Sequence, residues 1–219
     1  MVAGHVTEHF IRDRRRMVDR LRAKGIEDLA VLHAFDVVPR HLFVPPELHH
    51  QAYELSPLPI GSGQTISSPV IHAISLELAR LEGHERVLEV GTGSGFQTAL
   101  LAALGVEVYS VERIAKLAAR AEELLKRLGV EAHLRVGDGT AGWPEAAPFD
   151  AIIVGAAAVH VPGALLAQLA QQGRLVVPVG DRDQALYRIL RVGNEFRRDR
   201  IIGARFVPLI QQDGEPEKR

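Results

Sequence analysis

The chain has 219 residues, enough for one good-sized domain with a small subdomain attached, and its 47% hydrophobic and 24% charged residues are typical of globular proteins. A formal net charge of −1 gives no overall field that attracts nucleic acid or an acidic membrane, and the absence of cysteine excludes disulfides, thiolate metal sites and cysteine nucleophiles. The first residues contain no apolar stretch of the secretory type, and no apolar run approaches the ~20 residues of a membrane span. We therefore expect a cytoplasmic protein without nucleic-acid or membrane partners.

The chain before residue 84 is predicted to be a helical subdomain, 1–83, interrupted by prolines. An amphipathic helix, a shorter helix closed by a proline and a helix that begins with a proline are expected at residues 9–24, 27–36 and 69–81. Prolines and glycines recur within 55–69, so we interpret this stretch as a shaped loop rather than a helix or a strand.

From residue 84 onward, strand and helix patterns alternate, which is typical of a doubly wound parallel sheet. Seven strands are predicted, at 86–90, 106–111, 131–136, 149–154, 174–179, 185–192 and 200–207. Helices are predicted at 94–104, 113–128 and 162–170. The last two strands are joined by a turn, so we expect an antiparallel strand pair at the C-terminal end of a mostly parallel α/β sheet. This core is expected to span 84–210, followed by a polar tail at 211–219.

Three glycines directly follow the first strand of this predicted sheet and precede a helix. Gly91, Gly93 and Gly95 have the spacing G-x-G-x-G, and such a loop lets the backbone approach a nucleoside at the carboxyl ends of the strands. A dinucleotide fingerprint needs glycine or alanine where Phe96 stands, which disfavours a nicotinamide cofactor. Glu89 lies two residues before the loop, and its carboxylate would repel a pyrophosphate but suit the ammonium and sulfonium groups of S-adenosylmethionine.

Two further acids follow the next two predicted strands. Glu112 comes about 20 residues after the first glycine, where an acid binds ribose hydroxyls in open α/β sheets. Asp138 ends the third strand, within expected reach of an adenine amino group. Each acid alone is also explained as a solvated loop carboxylate, but their positions at the ends of consecutive strands favour a nucleoside site.

With the residues before the glycine loop included, the chain resembles the protein-L-isoaspartate O-methyltransferase family. The resemblance extends from about Arg14 to Leu209 and is carried, besides the glycine loop, by segments at 38–45, 57–67, 137–139, 142–144, 147–154, 173–180 and 205–209. The loop is shared by methyltransferases in general. The sequences Gln64-Thr65-Ile66-Ser67 and Phe206-Val207-Pro208-Leu209 are much more specific to this family.

The resemblance implies a Rossmann-like methyltransferase fold that transfers a methyl group from S-adenosyl-L-methionine to the free carboxylate of L-isoaspartyl residues in damaged proteins and peptides. S-adenosyl-L-homocysteine is the implied by-product, and the methyl ester converts through a succinimide toward L-aspartyl. The implied enzyme needs no metal, and we expect it to be a monomer.

The resemblance also implies roles for individual residues. Ser67 matches the active-site serine of the family. Cofactor binding is expected of Gln64, Thr65, Ile66, Ser67, His72, Glu89, Gly91, Gly93, Ser94, Gly95, Glu112, Arg113, Asp138 and Gly139. Substrate binding is expected of Ile60, Gly61, Val207, Pro208 and Leu209.

A carboxylate nucleophile has a reference pKa of about 4, so it is ionised at neutral pH and needs no general base. The Ser67 hydroxyl is therefore expected to orient the substrate carboxylate; the alternative is that it only shapes its loop or caps the helix near Pro69. His72 is equally consistent with a partly buried, hydrogen-bonded histidine that binds no ligand.

The alternatives for the whole protein are a methyltransferase of the same fold that acts on a small metabolite or RNA, and a non-catalytic S-adenosylmethionine-binding module. The chain departs from the family pattern near the expected pocket, and these departures leave substrate preference and rate open: Leu55, Ser68, Val70 and Gly155.

Overall fold

The structure, a computed structural model, describes residues 2–210, with side chains from residue 8 onward. The predicted polar tail at 211–219 lies outside the described residues. Before the sheet, the chain forms α1 (Val2–Ala23), α2 (Leu29–Val37), two short 3-10 helices (Arg40–Phe43 and Pro46–Gln51), a β-hairpin and α3 (Pro69–Ala79). The three helices predicted in this region are confirmed, and α1 begins earlier than expected.

The ends of these helices follow from local chemistry. The Asp28 carboxylate accepts hydrogen bonds from the backbone N–H groups of Ala30 and Val31, which caps α2. Pro69 occupies the first position of α3, where its missing N–H is not needed, and the Ser68 hydroxyl accepts from the Ile71 N–H at 3.3 Å. Ser68, and not Ser67, is therefore the cap of α3.

The prediction that 55–69 contains no strand is wrong. Two short strands, β1 (Leu58–Gly61) and β2 (Gln64–Ile66), pair antiparallel, with Leu58 opposite Ile66. The turn between them contains three residues with positive φ, Gly61, Ser62 and Gly63. A two-stranded hairpin tolerates Pro59 because its strands are edge strands, so the proline-rich composition did not exclude pairing.

The main sheet contains seven strands, confirming the predicted number. They are β3 (Arg86–Val90), β4 (Glu107–Glu112), β5 (His133–Val136), β6 (Phe149–Val154), β7 (Leu169–Val179), β8 (Ala185–Val192) and β9 (Glu195–Gly203). Their order is β5-β4-β3-β6-β7-β8-β9. The first five are parallel to one another, whereas β8 pairs antiparallel with both β7 and β9, as the closing turn predicts.

Three helices connect the parallel strands: α4 (Phe96–Ala103), α5 (Ala115–Arg127) and α6 (Gly163–Ala167). The prediction that the last helix continues to residue 170 is wrong, since β7 already begins at Leu169. Leu169 is fully buried and pairs with Phe149, so its apolar side chain is buried as part of the sheet and not on the face of a helix.

Buried apolar side chains cover both faces of the sheet. One cluster joins the N-terminal helices to α4, with Met17 and Phe35 packed in the same core as Phe96 and Leu100. The other cluster lies on the opposite face around α6 and includes Leu88 and Leu175. Within the described residues, no helix combines the length and apolar character required to cross a bilayer.

The position of β3 determines where a ligand site forms. The chain leaves β3 for β4 on one side, and β6 later pairs with its other side, so the loops that follow β3 and β6 diverge. In open α/β sheets such a point of divergence opens a cleft at the carboxyl ends of the strands.

Candidate active site

The glycine loop lies at the carboxyl end of β3 and requires residues that adopt positive φ. Gly91, Gly93 and Gly95 have φ values of +96°, +56° and +84°. A Cβ atom on Gly95 would lie 3.2 Å from the Cβ of Ala121 and 3.3 Å from Leu125 Cδ1. Gly95 therefore allows α5 to pack closely against the start of α4, while the first two glycines face the cleft.

Glu112, at the end of β4, holds this loop in place. One carboxylate oxygen accepts a hydrogen bond from the Gly93 N–H at 2.9 Å, and the other accepts from the Ile114 N–H at 2.9 Å. The side chain is buried, yet it borders the cleft. Because a carboxylate has about four acceptor positions, it retains the capacity to accept hydroxyl donors from a ligand.

Glu89 is a fully buried carboxylate on β3, and its two oxygens differ sharply. Oε2 accepts hydrogen bonds from Thr98 Oγ1 at 2.5 Å and Ser110 Oγ at 2.7 Å. Oε1 is buried without a hydrogen-bond partner among the described residues. Burial raises the pKa of Glu89 to about 7, although the Thr98 and Ser110 hydroxyls and the Gln97 side chain oppose this shift.

His72, on α3, is part of the same buried polar group. Its Nδ1 donates to Gln97 Oε1 at 2.9 Å, while Nε2 is buried and has no partner in the described chain. Burial, and then the charge of Arg40, lowers the pKa of His72 to about 3, so the imidazole is neutral at physiological pH. Two unsatisfied buried atoms, Glu89 Oε1 and His72 Nε2, thus belong to side chains that line one cavity.

Ser67 precedes α3 and borders this cavity. Its carbonyl oxygen accepts a hydrogen bond from Arg40 Nη2 at 2.9 Å. Because Ser68 caps α3, the alternative that Ser67 serves as the helix cap is wrong. In the described chain the Ser67 hydroxyl has no hydrogen-bond partner, so it is free to contact a ligand.

Two adjoining cavities occupy the cleft, and the first two glycines of the loop border both. The Glu112 cavity is bordered by the ends of β3 and β4, the start of α5 and the C-terminal segment. The Glu89 cavity is bordered by Ser67 and His72. Because the two cavities adjoin and their polar groups differ, the arrangement suits an elongated ligand with two chemically different ends.

The structure brings most of the predicted site residues to these cavities. The Glu112 cavity is lined by Ile60, Gln64, Thr65, Gly91, Gly93, Glu112, Arg113, Gly139, Val207, Pro208 and Leu209. The Glu89 cavity is lined by Thr65, Ile66, Ser67, His72, Glu89, Gly91, Gly93 and Ser94. The C-terminal segment is held there because the Leu209 N–H donates to the Ala157 carbonyl at 2.7 Å, beyond the end of β6.

Three predicted residues do not line either cavity. Gly61 lies exposed in the hairpin turn, and Gly95 contacts α5. The Asp138 carboxylate accepts from both the N–H and the hydroxyl of Thr140 at 2.8 Å, which caps a short 3-10 helix. The contact of Asp138 with adenine stays a prediction.

Several lining residues were not predicted from the sequence. Ile114, directly before α5, and Leu117, on α5, border the Glu112 cavity. The helical spacing of Leu117 indicated only a helix core. Gln97 borders the Glu89 cavity from α4. Gly155, which the sequence placed near the pocket only as a departure from the family pattern, lines both cavities. A Cβ atom there would lie 3.4 Å from the Val90 carbonyl oxygen, so a larger residue would narrow the cleft.

Within residues 2–210, no group of three or more histidine, aspartate or glutamate side chains is arranged to hold a metal ion. The polar groups of the cleft are carboxylates, a neutral imidazole, hydroxyls and backbone amides. Such groups bind a cationic or hydroxyl-bearing ligand through hydrogen bonds and charge.

Comparison with known proteins assigns the family. Residues 12–214 match the family model described as protein-L-isoaspartate(D-aspartate) O-methyltransferase. A protein-L-isoaspartate O-methyltransferase from Dictyoglomus thermophilum is 48% identical over 210 residues, which cover 95% of this chain and 96% of that relative. Protein-L-isoaspartate O-methyltransferase 1 from Marinobacter nauticus is 51% identical over 200 residues, covering 91% of this chain and 92% of that relative.

Solved structures agree with this assignment. A structure from Plasmodium falciparum, described as a protein-L-isoaspartate O-methyltransferase in complex with S-adenosyl-L-homocysteine, has a TM-score of 0.81 and 29% sequence identity, covering 91% of this chain and 99% of that chain. The expected Rossmann-like methyltransferase fold is confirmed. On the strength of the family match over nearly all of its length, the chain belongs to the protein-L-isoaspartate(D-aspartate) O-methyltransferase family and is a methyltransferase enzyme.

Proposed function

We propose that this protein uses S-adenosyl-L-methionine to methylate the free carboxylate of L-isoaspartyl residues in damaged proteins and peptides. Two adjoining cavities, both bordered by the glycine loop, support this proposal most strongly. The Glu112 cavity suits a nucleoside, and the Glu89 cavity suits an amino-acid end next to an acceptor. The free Ser67 hydroxyl borders the second cavity.

The residues of the Glu112 cavity fit the nucleoside part of this cofactor. Glu112 accepts the ribose hydroxyls with lone pairs that its two backbone contacts leave available. Ile114 and Leu117 give the adenine ring an apolar wall, and Gly139 allows it to approach the backbone. Arg113 and Gln64 complete the border of this cavity.

The residues of the Glu89 cavity fit the methionine part. The unsatisfied Oε1 atom of Glu89 is the natural acceptor for an ammonium group, and an incoming cation would favour the ionised carboxylate. His72 is neutral, so it adds no repulsive charge and offers Nε2 as an acceptor. Ser94 also borders this cavity, and its hydroxyl can donate a hydrogen bond to the cofactor carboxylate.

When bound, S-adenosyl-L-methionine supplies a methyl carbon on a positively charged sulfur, so the methyl–sulfur bond breaks as the bond to the substrate oxygen forms and the sulfur keeps the electron pair. The protein has no proton to remove from the acceptor, which is already ionised at neutral pH. The Ser67 hydroxyl donates a hydrogen bond to the isoaspartyl carboxylate and orients it in line with the methyl carbon. Ile60, Gly61 and the Val207–Leu209 segment hold the peptide on either side.

The methyl ester then leaves the enzyme. The backbone nitrogen of the following residue attacks the ester carbonyl, methanol departs, and the resulting succinimide opens with water to aspartyl or isoaspartyl. We further propose that the protein acts as a cytoplasmic monomer on protein and peptide substrates, without nucleic-acid or membrane partners.

The test compares two peptides that differ only in carrying L-isoaspartate or L-aspartate at one position. Each is incubated with the full chain and methyl-labelled S-adenosyl-L-methionine, and base-labile label on the peptide is counted. Label on the isoaspartyl peptide alone is the expected result. Label on neither peptide, with the cofactor bound normally, would favour a methyltransferase with a metabolite or RNA acceptor.

A further inference from the structure

Arg40 is the largest charged side chain buried completely in the described chain, with 0% of its surface exposed. Among the described residues, no carboxylate lies within salt-bridge distance of its guanidinium group. Burying an unpaired charge is strongly unfavourable, so an arginine in this position needs an explanation beyond packing.

The contacts of Arg40 connect three separate segments. Its Nε donates to the Ala52 carbonyl at 2.9 Å, and its Nη2 donates to the Ser67 carbonyl at 2.9 Å. The guanidinium carbon lies 4.8 Å from the centre of the Phe96 ring, a cation–π contact. Nη1 is buried and has no partner in the described part of the chain.

Two of these segments carry the opposite sides of the proposed reaction. Ser67 belongs to the segment Thr65–Ser67, here called the strap, which borders the Glu89 cavity on the proposed acceptor side. Phe96 directly follows the glycine loop, which borders the cavities proposed for the cofactor. The guanidinium plane between them therefore fixes the position of the strap relative to the loop. The distance between the strap and the loop matters for the rate, because a displacement of about 1 Å can lower the rate of the chemical step by about 10²-fold.

We propose that Arg40 is a positioning residue for methyl transfer, which holds Ser67 in register with the glycine loop through the Ser67 carbonyl. This inference rests on the proposed role of Ser67. It assigns a function in the reaction to a residue of the first 3-10 helix.

The chemistry of the two contacts requires arginine. A planar guanidinium donates to two carbonyl groups at fixed angles while its face lies on an aromatic ring, whereas a lysine ammonium is a compact charge on a flexible chain. Burial lowers the pKa of Arg40 to about 9, with Tyr53 opposing this shift, so the group still carries its charge at neutral pH. Arg40→Lys therefore keeps a nitrogen donor on a long side chain but loses the two-point geometry.

The experiment measures steady-state kinetics with an isoaspartyl peptide for four proteins: wild type, Arg40→Lys, Ser67→Ala and the double variant. S-adenosyl-L-homocysteine binding is measured by calorimetry in parallel. We expect Arg40→Lys to lower kcat by about tenfold or more, while the affinity for S-adenosyl-L-homocysteine changes by less than about threefold. In the Ser67→Ala background, Arg40→Lys should lower kcat by less than about threefold, because the Ser67 hydroxyl that Arg40 holds in position is already absent.

The matched control is Met17→Ala, which removes a fully buried side chain from the same apolar cluster. Assayed well below its unfolding temperature, this destabilised variant should keep the kcat of the wild type. Equal losses of kcat from Arg40→Lys in both backgrounds would overturn the inference, as would an equal loss in Met17→Ala. If Arg40→Lys does not fold, Arg40→Gln, which keeps one donor group, takes its place in the same cycle. Failure of the wild type to methylate the peptide would instead refute the proposed function.

Discussion

Glu89 shows at the scale of one residue how a cationic ligand is selected. Its carboxylate is completely buried, one oxygen is held by two hydroxyl groups, and the other oxygen has no partner in the described chain. Burial raises its pKa to about 7, so at physiological pH the free enzyme is a mixture of ionised and neutral forms. Only the ionised form attracts the ammonium group of the cofactor.

The affinity for S-adenosyl-L-homocysteine should therefore decrease as the pH falls. With a pKa of about 7 in the free enzyme, about nine-tenths of Glu89 is ionised at pH 8 and about one-tenth at pH 6, so the dissociation constant should rise about tenfold between them. Calorimetry across this range measures the effect. Glu89→Gln should bind weakly at every pH, and a wild-type affinity that stays constant from pH 8 to pH 6 would show that Glu89 does not bind the ammonium group.

The neighbouring pair Ser67 and Ser68 separates catalysis from folding. Ser67→Ala removes a proposed hydrogen bond to a charged substrate group, which should lower kcat/KM about 10- to 100-fold with little change in stability. Ser68→Ala removes the cap of α3 and should lower the free energy of unfolding by about 1 kcal/mol while turnover is maintained. Thermal unfolding and peptide kinetics on both variants check this. A loss of stability in Ser67→Ala together with a loss of turnover in Ser68→Ala would contradict the assignment.

The sequence was informative for residues whose chemistry is unusual in itself. The three glycines, Glu89 and Glu112 stand at the ends of predicted strands, so their convergence follows from topology. Arg40 and Gln97 could not be placed in this way. Their roles depend on contacts with Ser67 and His72, 27 and 25 residues away along the chain, and only packing brings these groups together.

At the scale of an element, the β1–β2 hairpin covers part of the Glu112 cavity through Ile60, Gln64 and Thr65. Arg120 on α5 attaches the hairpin to the core, since its Nη1 donates to the Ile60 carbonyl at 3.2 Å. The hydrogen bond therefore connects the cover of the cavity to the helix that forms its wall.

Replacing Arg120 by methionine should loosen this cover. The loss of one charge-assisted hydrogen bond at the surface is worth about 1 kcal/mol, so the dissociation constant of S-adenosyl-L-homocysteine should rise about fivefold. Arg127→Met is the matched control, because Arg127 also lies exposed on α5 but, within the described chain, donates to no residue of the hairpin. Equal affinities of the two variants would show that the hairpin does not need this attachment.

Elements with strong local patterns were predicted well, whereas those fixed by tertiary contacts were not. Strands β3, β6 and β8 lie at their predicted positions because short, largely apolar segments between turns leave few alternatives. The hairpin was missed because Pro57, Pro59 and the glycines indicate a loop, while its pairing depends on Ile66 opposite Leu58. The end of α6 was misplaced because an apolar residue at position 169 is consistent with either a helix or a strand. Only the packing of the sheet shows that Leu169 belongs to β7.

At the scale of the whole molecule, residues before and after position 84 share one hydrophobic core. Met17 and Phe35 pack in the same cluster as Phe96 and Leu100, so the predicted N-terminal subdomain has no separate core in the described structure. The sequence pattern indicated two regions, before and after position 84. Only their packing shows that the apolar side chains of both regions are buried against each other.

The protein should consequently unfold in one cooperative transition. Differential scanning calorimetry should give a single peak, with the calorimetric enthalpy close to the van't Hoff enthalpy, because neither region can lose its structure without exposing the core of the other. Met17→Ala should lower the temperature of this one peak. Two resolved peaks, of which Met17→Ala shifts only the first, would show that the N-terminal region is a separate domain.

One cofactor should extend along both cavities, with its sulfur facing Ser67. A crystal structure of the full chain with S-adenosyl-L-homocysteine would show whether it does. We expect the ribose hydroxyls on Glu112, the ammonium group on Glu89 and the sulfur directed toward the Ser67 hydroxyl. A ligand bound outside these cavities, or one that lies in them with its sulfur turned away from Ser67, would refute this arrangement.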